Sequence, residues 1–368
     1  MNFETKAHFS RKKLLIVAFH HPEYSVLYGI AMARYFDVTV ILDGAKFEFE
    51  YSGRSLPDLT RIKLVKVEFK SFSNLLSILR TIVSVRPEVT HIQEAVGFRR
   101  GFFSACTMSV AKLFGRVILT VHDPVPHVGR DADEARKSSF FRDYVRRWSN
   151  HILVHGRSCI RDYLSVYPDQ KGLIESEHGV ILAPDSLQPR QSSRFTLLFF
   201  GRMEAYKGID TLYSTAKLLR DRGVDFKLIL AGKGPELDRL KGDLAQMEQC
   251  EVRDRFIPAS EVITLMANSD CVVLPYSSAT RSGVVAAAFA NGRFVIASDI
   301  PGLNDLVLQD RNGLLVPAGD ATALADAIQH VSLHPDVRER LKTGALETAK
   351  GQLNWDVIAD DLFAKFPV

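Results

Sequence analysis

Short, almost uninterrupted apolar runs alternate along this chain with longer stretches of helical period. In the first half the runs fall near 13–19, 37–42, 61–69, 88–92, 116–121, 151–154 and 172–176. Helical patterns lie between them, near 25–35, 73–85, 100–114, 132–149 and 156–166. A second series of runs follows near 195–200, 226–231, 252–256, 271–274, 294–297 and 313–316. A strand without polar alternation must be buried on both faces. Strand–helix alternation of this kind predicts an α/β protein built from doubly wound parallel sheets. Residues 43–60 break the pattern and read as a loop rich in glycine and aromatics (Phe47, Phe49, Tyr51).

The two series are separated by Ala183 to Arg194, a polar stretch with two prolines and no period. It predicts a first domain over 1–183, a linker over 184–194 and a second domain over 195–350. Residues 351–368 carry an amphipathic helix (Trp355, Ile358, Leu362, Phe366), expected to pack back on the first domain. Two doubly wound domains set a cleft between the carboxyl ends of their sheets, where such folds bind ligands.

Composition narrows this little. The 368 residues are 46% hydrophobic and 24% charged, with a net charge of +4. That balance suits an anionic ligand or an anionic membrane surface, and is far from a dedicated nucleic-acid binder. Cys106, Cys159, Cys250 and Cys271 are scattered without a CxxC pair, as expected of free thiols in a reducing cytoplasm. No run approaches the about 20 apolar residues of a membrane span. Arg11-Lys12-Lys13 before Leu14 to Phe19 has the outline of a signal peptide. The run is too short for one, however, and ends in His20-His21-Pro22 rather than a small-residue cleavage site.

The chemistry concentrates after the strand Phe195 to Phe200. Gly201-Arg202 and Lys207-Gly208 flank a short loop before the next helical pattern. Two cations over the carboxyl end of a parallel strand can hold a diphosphate. Further on come Leu228 to Glu236 (LILAGKGPE), Asp270 with Val273-Leu274-Pro275-Tyr276, and Ser282-Gly283-Val284 leading to Ala290-Asn291-Gly292. Val295 to Asp299 and Asn312 to Pro317 complete the series.

In order and spacing these pieces resemble family 4 of the retaining glycosyltransferases, strongly over 195–330 and loosely over 12–183. The resemblance implies the GT-B fold, two Rossmann-like domains facing across a cleft. It implies transfer of a sugar from a nucleoside-diphosphate sugar to an acceptor hydroxyl, with no cofactor and no metal. Arg202 and Lys207 would stabilise the leaving diphosphate, and His122, after the strand 116–121, would orient the sugar. Gly201, Gly232, Gly234, Pro235, Ile257, Ser282, Gly283 and Val284 would complete the donor site. His20, His21, Glu94 and Asp123 fall on the acceptor side, where His20-His21-Pro22 stands in place of the family's Gly-Gly pair.

The sequence departs from the family at one place. Two glutamates seven residues apart are usual there, and they fall at Ser278 or Ala279 and at Ala286 or Ala287. Arg281 adds a cation beside that turn. A catalytically weak, nucleotide-sugar-binding partner subunit is therefore a competing reading, as is an epimerase or phosphorylase on the same architecture. His122, Asp123 and His127 also read as structural groups or as a fragment of a metal site.

The segment Arg136 to Trp148 interleaves Arg136, Lys137, Arg142, Arg146 and Arg147 with Phe140, Phe141, Tyr144, Val145 and Trp148. It reads either as a helix lying on an anionic bilayer or as one buried through its aromatic face with solvated arginines. Family habit places such a protein in the cytoplasm, at the inner face of the inner membrane. It would act there on a glycan or lipid-linked acceptor in exopolysaccharide, capsule or lipopolysaccharide assembly.

Overall fold

The structure is a computed structural model that describes residues 11–125, 137–187, 194–280 and 282–366. It contains two parallel sheets, each wound with helices on both faces. The first has seven strands: β1 (Lys13–Ala18), β2 (Asp37–Asp43), β3 (Lys63–Val67), β4 (Val89–Gln93), β5 (Arg116–Val121), β6 (His151–His155) and β7 (Leu173–Ser176). They lie in the order β3-β2-β1-β4-β5-β6-β7. The second has six: β8 (Phe195–Phe200), β9 (Phe226–Gly232), β10 (Cys250–Asp254), β11 (Cys271–Leu274), β12 (Phe294–Ser298) and β13 (Gly313–Val316). Their order is β10-β9-β8-β11-β12-β13.

β1 shows why the apolar runs lack alternation. Leu14, Ile16 and Ala18 belong to the core on one face of the sheet, with Leu153 and Ile174. Leu15, Val17 and Phe19 belong to the core on the other, with Ile92 and Leu119. Both faces are covered, so every position must be apolar. The pairing Ile16↔Val40 and Ile16↔His91 fixes β1 between β2 and β4. In both sheets the chain order reverses beside the first strand, between β1 and β4 and between β8 and β11. A crevice opens at such a point, outside the carboxyl ends of the strands.

The helices of the first domain are α1 (Pro22–Met32), α2 (Gly44–Glu50), α3 (Phe72–Val85), α4 (Phe98–Ala111), α5 (Ser139–Trp148) and α6 (Gly156–Val166). α2 corrects the reading of 43–60 as a loop. Asp43 caps it by accepting from the Lys46 amide at 3.2 Å, while only Gly44 and Phe47 of the helix are buried. So short a buried face leaves no periodic signal. The second domain carries α7 (Ile209–Asp221), α8 (Pro235–Ala245), α9 (Ala259–Ala267), α10 (Gly283–Ala290), α11 (Ala321–Leu333) and α12 (Pro335–Lys350).

The last helix, α13 (Trp355–Lys365), crosses back. Trp355, Ile358, Leu362 and Phe366 join the core beneath α1. Burial of side chains this size is worth roughly 1.5–3 kcal/mol each. The Trp355 indole N–H donates to the Val180 carbonyl at 2.8 Å, and Val180 N–H donates to Leu353 O at 3.1 Å. These bonds tie the end of the chain to the crossover between the sheets. Of the linker read over 184–194, residues 188–193 lie outside the described residues.

Candidate active site

Arg202 and Lys207 stand on the loop between β8 and α7, above the β8/β11 crevice. Gly208 makes this loop feasible. It has φ +71, and a Cβ there would lie 1.9 Å from the Pro275 carbonyl oxygen. Lys207 is therefore pressed against the end of β11, where its Nζ sits 3.8 Å from the centre of the Tyr276 ring. Burial lowers the Lys207 pKa, and Tyr206 and Asp123 oppose that shift while Arg202 adds to it. A cation held over an aromatic face in partial burial is poised to gain from an incoming anion.

Lys207 and Arg202 line a cavity of about 280 Å³ with Tyr206, Tyr276, Thr280, Ser282, Gly283 and Val284. α10 begins at Gly283, and its cap residue Ser282 makes no side-chain capping bond. The N-terminal amides of a helix attract negative charge when nothing else occupies them. A Cβ on Gly283 would meet Ile181 at 3.4 Å and His178 at 3.9 Å, so the helix start abuts the first domain. Asp123, Ile181 and Leu182 line the same cavity from that side. Arg281 lies outside the described residues.

Gly232, Gly234 and Pro235 do not line this cavity among the described residues. Their turn interlocks with the β8 loop instead. Gly201 N–H donates to Ala231 O, and Met203 N–H to Lys233 O, both at 3.1 Å. A Cβ on Gly232 would come within 1.9 Å of Gly201 O, and one on Gly234 within 2.5 Å of Met203 O. The two glycines let adjacent loops nest, and so set where Arg202 stands. Ile257 is buried in the second core, which leaves its backbone alone to meet a ligand.

The first-domain wall is built from histidines. His122 follows β5, His155 ends β6, and His21 and His178 follow β1 and β7. Around Tyr24 the ring centres of His122, His155 and His178 lie 5.4, 5.6 and 5.0 Å away. His21 sits 4.9 Å from His122, edge to face. Among the described residues no three His, Cys, Asp or Glu side chains are placed to hold a metal. His127 lies outside the described residues.

Burial drives the His122 pKa well below its ordinary value, and the neighbouring histidines add to the shift. Its Nε2–H donates to Gln93 Oε1 at 2.8 Å, which leaves Nδ1 as an acceptor. His20 turns away to accept from the Val96 amide at 3.2 Å, and burial lowers its pKa to about 3. His21 is held in the left-handed region, φ 54 and ψ 60, at the start of α1. Leu182, which lines the cavity from the first-domain side, has φ 52. Strained backbone of this kind costs of order 1–3 kcal/mol and gathers at working sites.

Two expectations require correction. Glu94 does not face the acceptor side. Its carboxylate is inside the fold, held by Arg146 at 2.6 and 2.9 Å and by Arg142 at 3.1 Å. These arginines lower the Glu94 pKa against the opposing effect of burial. The helix α5 corrects one of its two sequence readings, that of a buried aromatic face with solvated arginines: Arg142 and Arg146 are buried, while Phe140 and Trp148 are exposed. Arg136 lies outside the described residues. The same arginines also hold the β5 loop. Arg142 and Arg146 both donate to Asp123 O at 3.3 Å, and Arg146 to Pro124 O at 3.1 Å.

Sequence reasoning missed His155 and gave His178 no site role. The signal for His155 was the one that singled out His122, a polar ring at the carboxyl end of a buried parallel strand.

The family described as "Glycosyl transferases group 1" matches residues 194–333, the stretch that holds the two cations, the nested glycine turns and the start of α10. The second domain belongs to the group 1 glycosyl transferases. A relative, the D-inositol 3-phosphate glycosyltransferase of Saccharomonospora viridis, is 33% identical over 45% of this chain and 41% of its own. The chain thus spans less than half the length of that relative.

Solved structures match the whole fold. Sucrose-phosphate synthase from Thermosynechococcus elongatus superposes with a TM-score of 0.70 at 17% identity, covering 96% of this chain and 98% of its own. Anabaena Alr3699/HepE in complex with UDP-glucose gives 0.70 at 14% identity, with the same coverages. These likenesses make the fold GT-B. Among the described residues no helix is long and apolar enough to cross a membrane.

Proposed function

We propose that this protein is a retaining glycosyltransferase that moves a sugar from a nucleoside-diphosphate sugar to an acceptor hydroxyl. The observation that carries the reading is the convergence of Arg202, Lys207 and the uncapped start of α10 on one cavity, which Asp123, the residue after His122, lines from the first domain. Departure of the diphosphate is the hard step. Fixed cations and helix amides aimed at the leaving group act where charge grows, at no cost in reorganisation.

In this reading the bond between the anomeric carbon and the β-phosphate oxygen breaks, and its electron pair stays on the phosphate. The acceptor oxygen bonds the same carbon on the same face. Its proton passes to the departing phosphate oxygen, giving a glycoside of retained configuration and a nucleoside diphosphate. His122 stays neutral, and its Nδ1 accepts from a sugar hydroxyl. Asp123, the only acid among the described lining residues, takes the sugar-facing place that the absent family glutamates leave. Assembly of a bacterial surface polysaccharide on a glycan or lipid-linked acceptor, at the cytoplasmic face of the inner membrane, is the setting we assign.

The absence of acids at Ala279 and Ala286 supports a second reading, a partner subunit that binds the nucleotide sugar without turning it over. Both are tested together. Nucleoside diphosphates should raise the melting temperature of the wild type by mass action. Arg202→Ala with Lys207→Ala should abolish the rise, and an undiminished rise would overturn the donor site. Transfer assays with UDP-, GDP- and ADP-sugars then separate the readings, because binding without turnover favours the partner subunit.

A further inference from the structure

We propose that the outer face of α3, α4 and α5 docks on an anionic lipid bilayer. The first two of these helices open with a phenylalanine and the third carries one in its first turn, and all three point to solvent: Phe72 is 72% exposed, Phe98 67% and Phe140 76%. The rings are not scattered. Phe98 and Phe140 lie 5.3 and 5.5 Å from Phe141, and Phe72 and Phe141 lie 6.1 and 5.8 Å from Phe102. Five aromatic rings thus form one patch across three helices. Single exposed apolar side chains are ordinary on a soluble protein, but a contiguous aromatic patch is not. Leu76, one turn on from Phe72, is also exposed and extends it.

The charge around the patch selects the partner. Residues 70–86 contain Lys70, Arg80 and Arg86 and no acid. Residues 98–112 contain Arg99, Arg100 and Lys112 and no acid. Residues 137–149 contain Lys137, Arg142, Arg146 and Arg147 against Asp143 alone. Arg142 and Arg146 are committed to Glu94, and Asp143 to the Tyr167 hydroxyl. Glu68, which pairs with Lys70 at 3.1 Å, is the acid beside the patch. The whole chain carries 47 cations to 43 acids, so this imbalance is local.

Aromatic rings amid cations fit the interface of an anionic bilayer, where rings enter the headgroup layer and cations meet lipid phosphates. A cavity of about 460 Å³ between Phe72, Phe98, Phe102 and Phe103, with Lys70 and Arg99 also lining it, suits an acyl chain beneath its phosphate. A second copy of this chain fits poorly, since a two-fold contact through this face would bring cations against cations.

The placement matters because α4 begins just beyond the carboxyl end of β4. Val96, two residues before it, donates its amide to His20, which follows β1 at the same end of the sheet. Gly97 N–H donates to Ser138 Oγ at 3.3 Å and ties the start of α4 to that of α5. A bilayer on this face therefore lies beside the mouth of the cleft.

The experiment is sedimentation of the full chain with phosphatidylcholine vesicles, with and without phosphatidylglycerol. The wild type should sediment with the anionic vesicles only, and should be released by high salt. A triple variant, Phe72→Ser with Phe98→Ser and Phe140→Ser, should lose roughly tenfold or more in partitioning, as should Lys70→Ser with Arg99→Ser. The exposed rings leave melting temperature and nucleotide binding unchanged, so the outcome is independent of the donor site. The proposal is overturned if the wild type ignores anionic vesicles or if the variants sediment like it. It also fails if light scattering shows a dimer that the triple variant abolishes, or if single-stranded nucleic acid binds the patch more tightly than vesicles do.

Discussion

Thr280 Oγ1 donates to Asp123 Oδ1 at 2.5 Å and so joins the second domain to the first across the cavity. The bond closes a chain of support that starts in the interior. Glu94 holds Arg142 and Arg146, these hold the carbonyls of Asp123 and Pro124, and the loop then presents the Asp123 carboxylate to the cleft. A hydrogen bond to a charged group is worth about 1.5–3 kcal/mol, less where water competes. Thr280→Val should therefore weaken closure without unfolding either domain. We expect kcat/KM to fall roughly tenfold and the radius of gyration in solution scattering to rise. An unchanged radius and rate would show that the pair does not govern closure.

The buried ion cluster makes a sharper claim about stability. Glu94 neutralises two arginines that have no water to turn to. Removing the acid strands both charges, whereas removing one arginine leaves the other paired. Breaking a buried pair in this way costs about 3–5 kcal/mol. Glu94→Gln should therefore lower the urea midpoint more than Arg142→Met. Arg146→Met, which also frees Pro124, should raise the donor KM with a smaller loss of stability. Equal destabilisation by all three would mean that the cluster is ordinary packing.

The sequence reveals the strands because parallel sheets bury both faces, so Leu14 to Phe19 and Phe195 to Phe200 read unambiguously. It singles out Arg202, Lys207 and His122 as candidates because strand ends are where a doubly wound fold exposes chemistry. It hides what depends on distant pairing. Nothing near Arg146 says that it turns inward to Glu94, 52 positions earlier, since a charged residue alone reads as solvated. Asp123 and Thr280 are 157 positions apart. The helix α2 escapes because its buried side is two residues wide, and nothing in the local sequence shows that the glycine turn 232–234 interlocks with the loop 201–203.

The glycines around the cations separate steric need from backbone strain. At Gly208 and Gly232 a methyl group would lie 1.9 Å from a carbonyl oxygen, with φ +71 and +151. Gly201 has φ +134 but nothing within 4 Å of its Cβ position. Gly201→Ala should cost only the strain, about 1–3 kcal/mol. Gly208→Ala and Gly232→Ala must in addition displace backbone, and should exceed about 4 kcal/mol. Urea unfolding of the three variants checks the order, and a Gly201→Ala variant as unstable as the other two would refute it.

The histidines predict how stability responds to acid. Burial lowers the pKa of His91 to about 3, of His20 to about 3 and of His178 to about 4, against 6.5 when unperturbed. A group depressed on folding stays neutral in the native chain while the unfolded chain takes up its proton. Its contribution is complete above pH 6.5 and is lost as pH falls below that value. For His91, wholly buried between the Tyr28 hydroxyl at 2.9 Å and Thr120 Oγ1 at 2.5 Å, the loss is about 1.4 kcal/mol per pH unit. Glu50 works in the opposite direction. Burial raises its pKa from 4.5 to about 7, so it favours the fold as pH drops through that window. Three histidines against one glutamate leave a net loss. The melting temperature should fall between pH 6.5 and 4.5, and His91→Gln, which keeps a donor and an acceptor without a titrating ring, should flatten the slope. A melting temperature that holds or rises across that range would show that these rings are not held neutral by the fold.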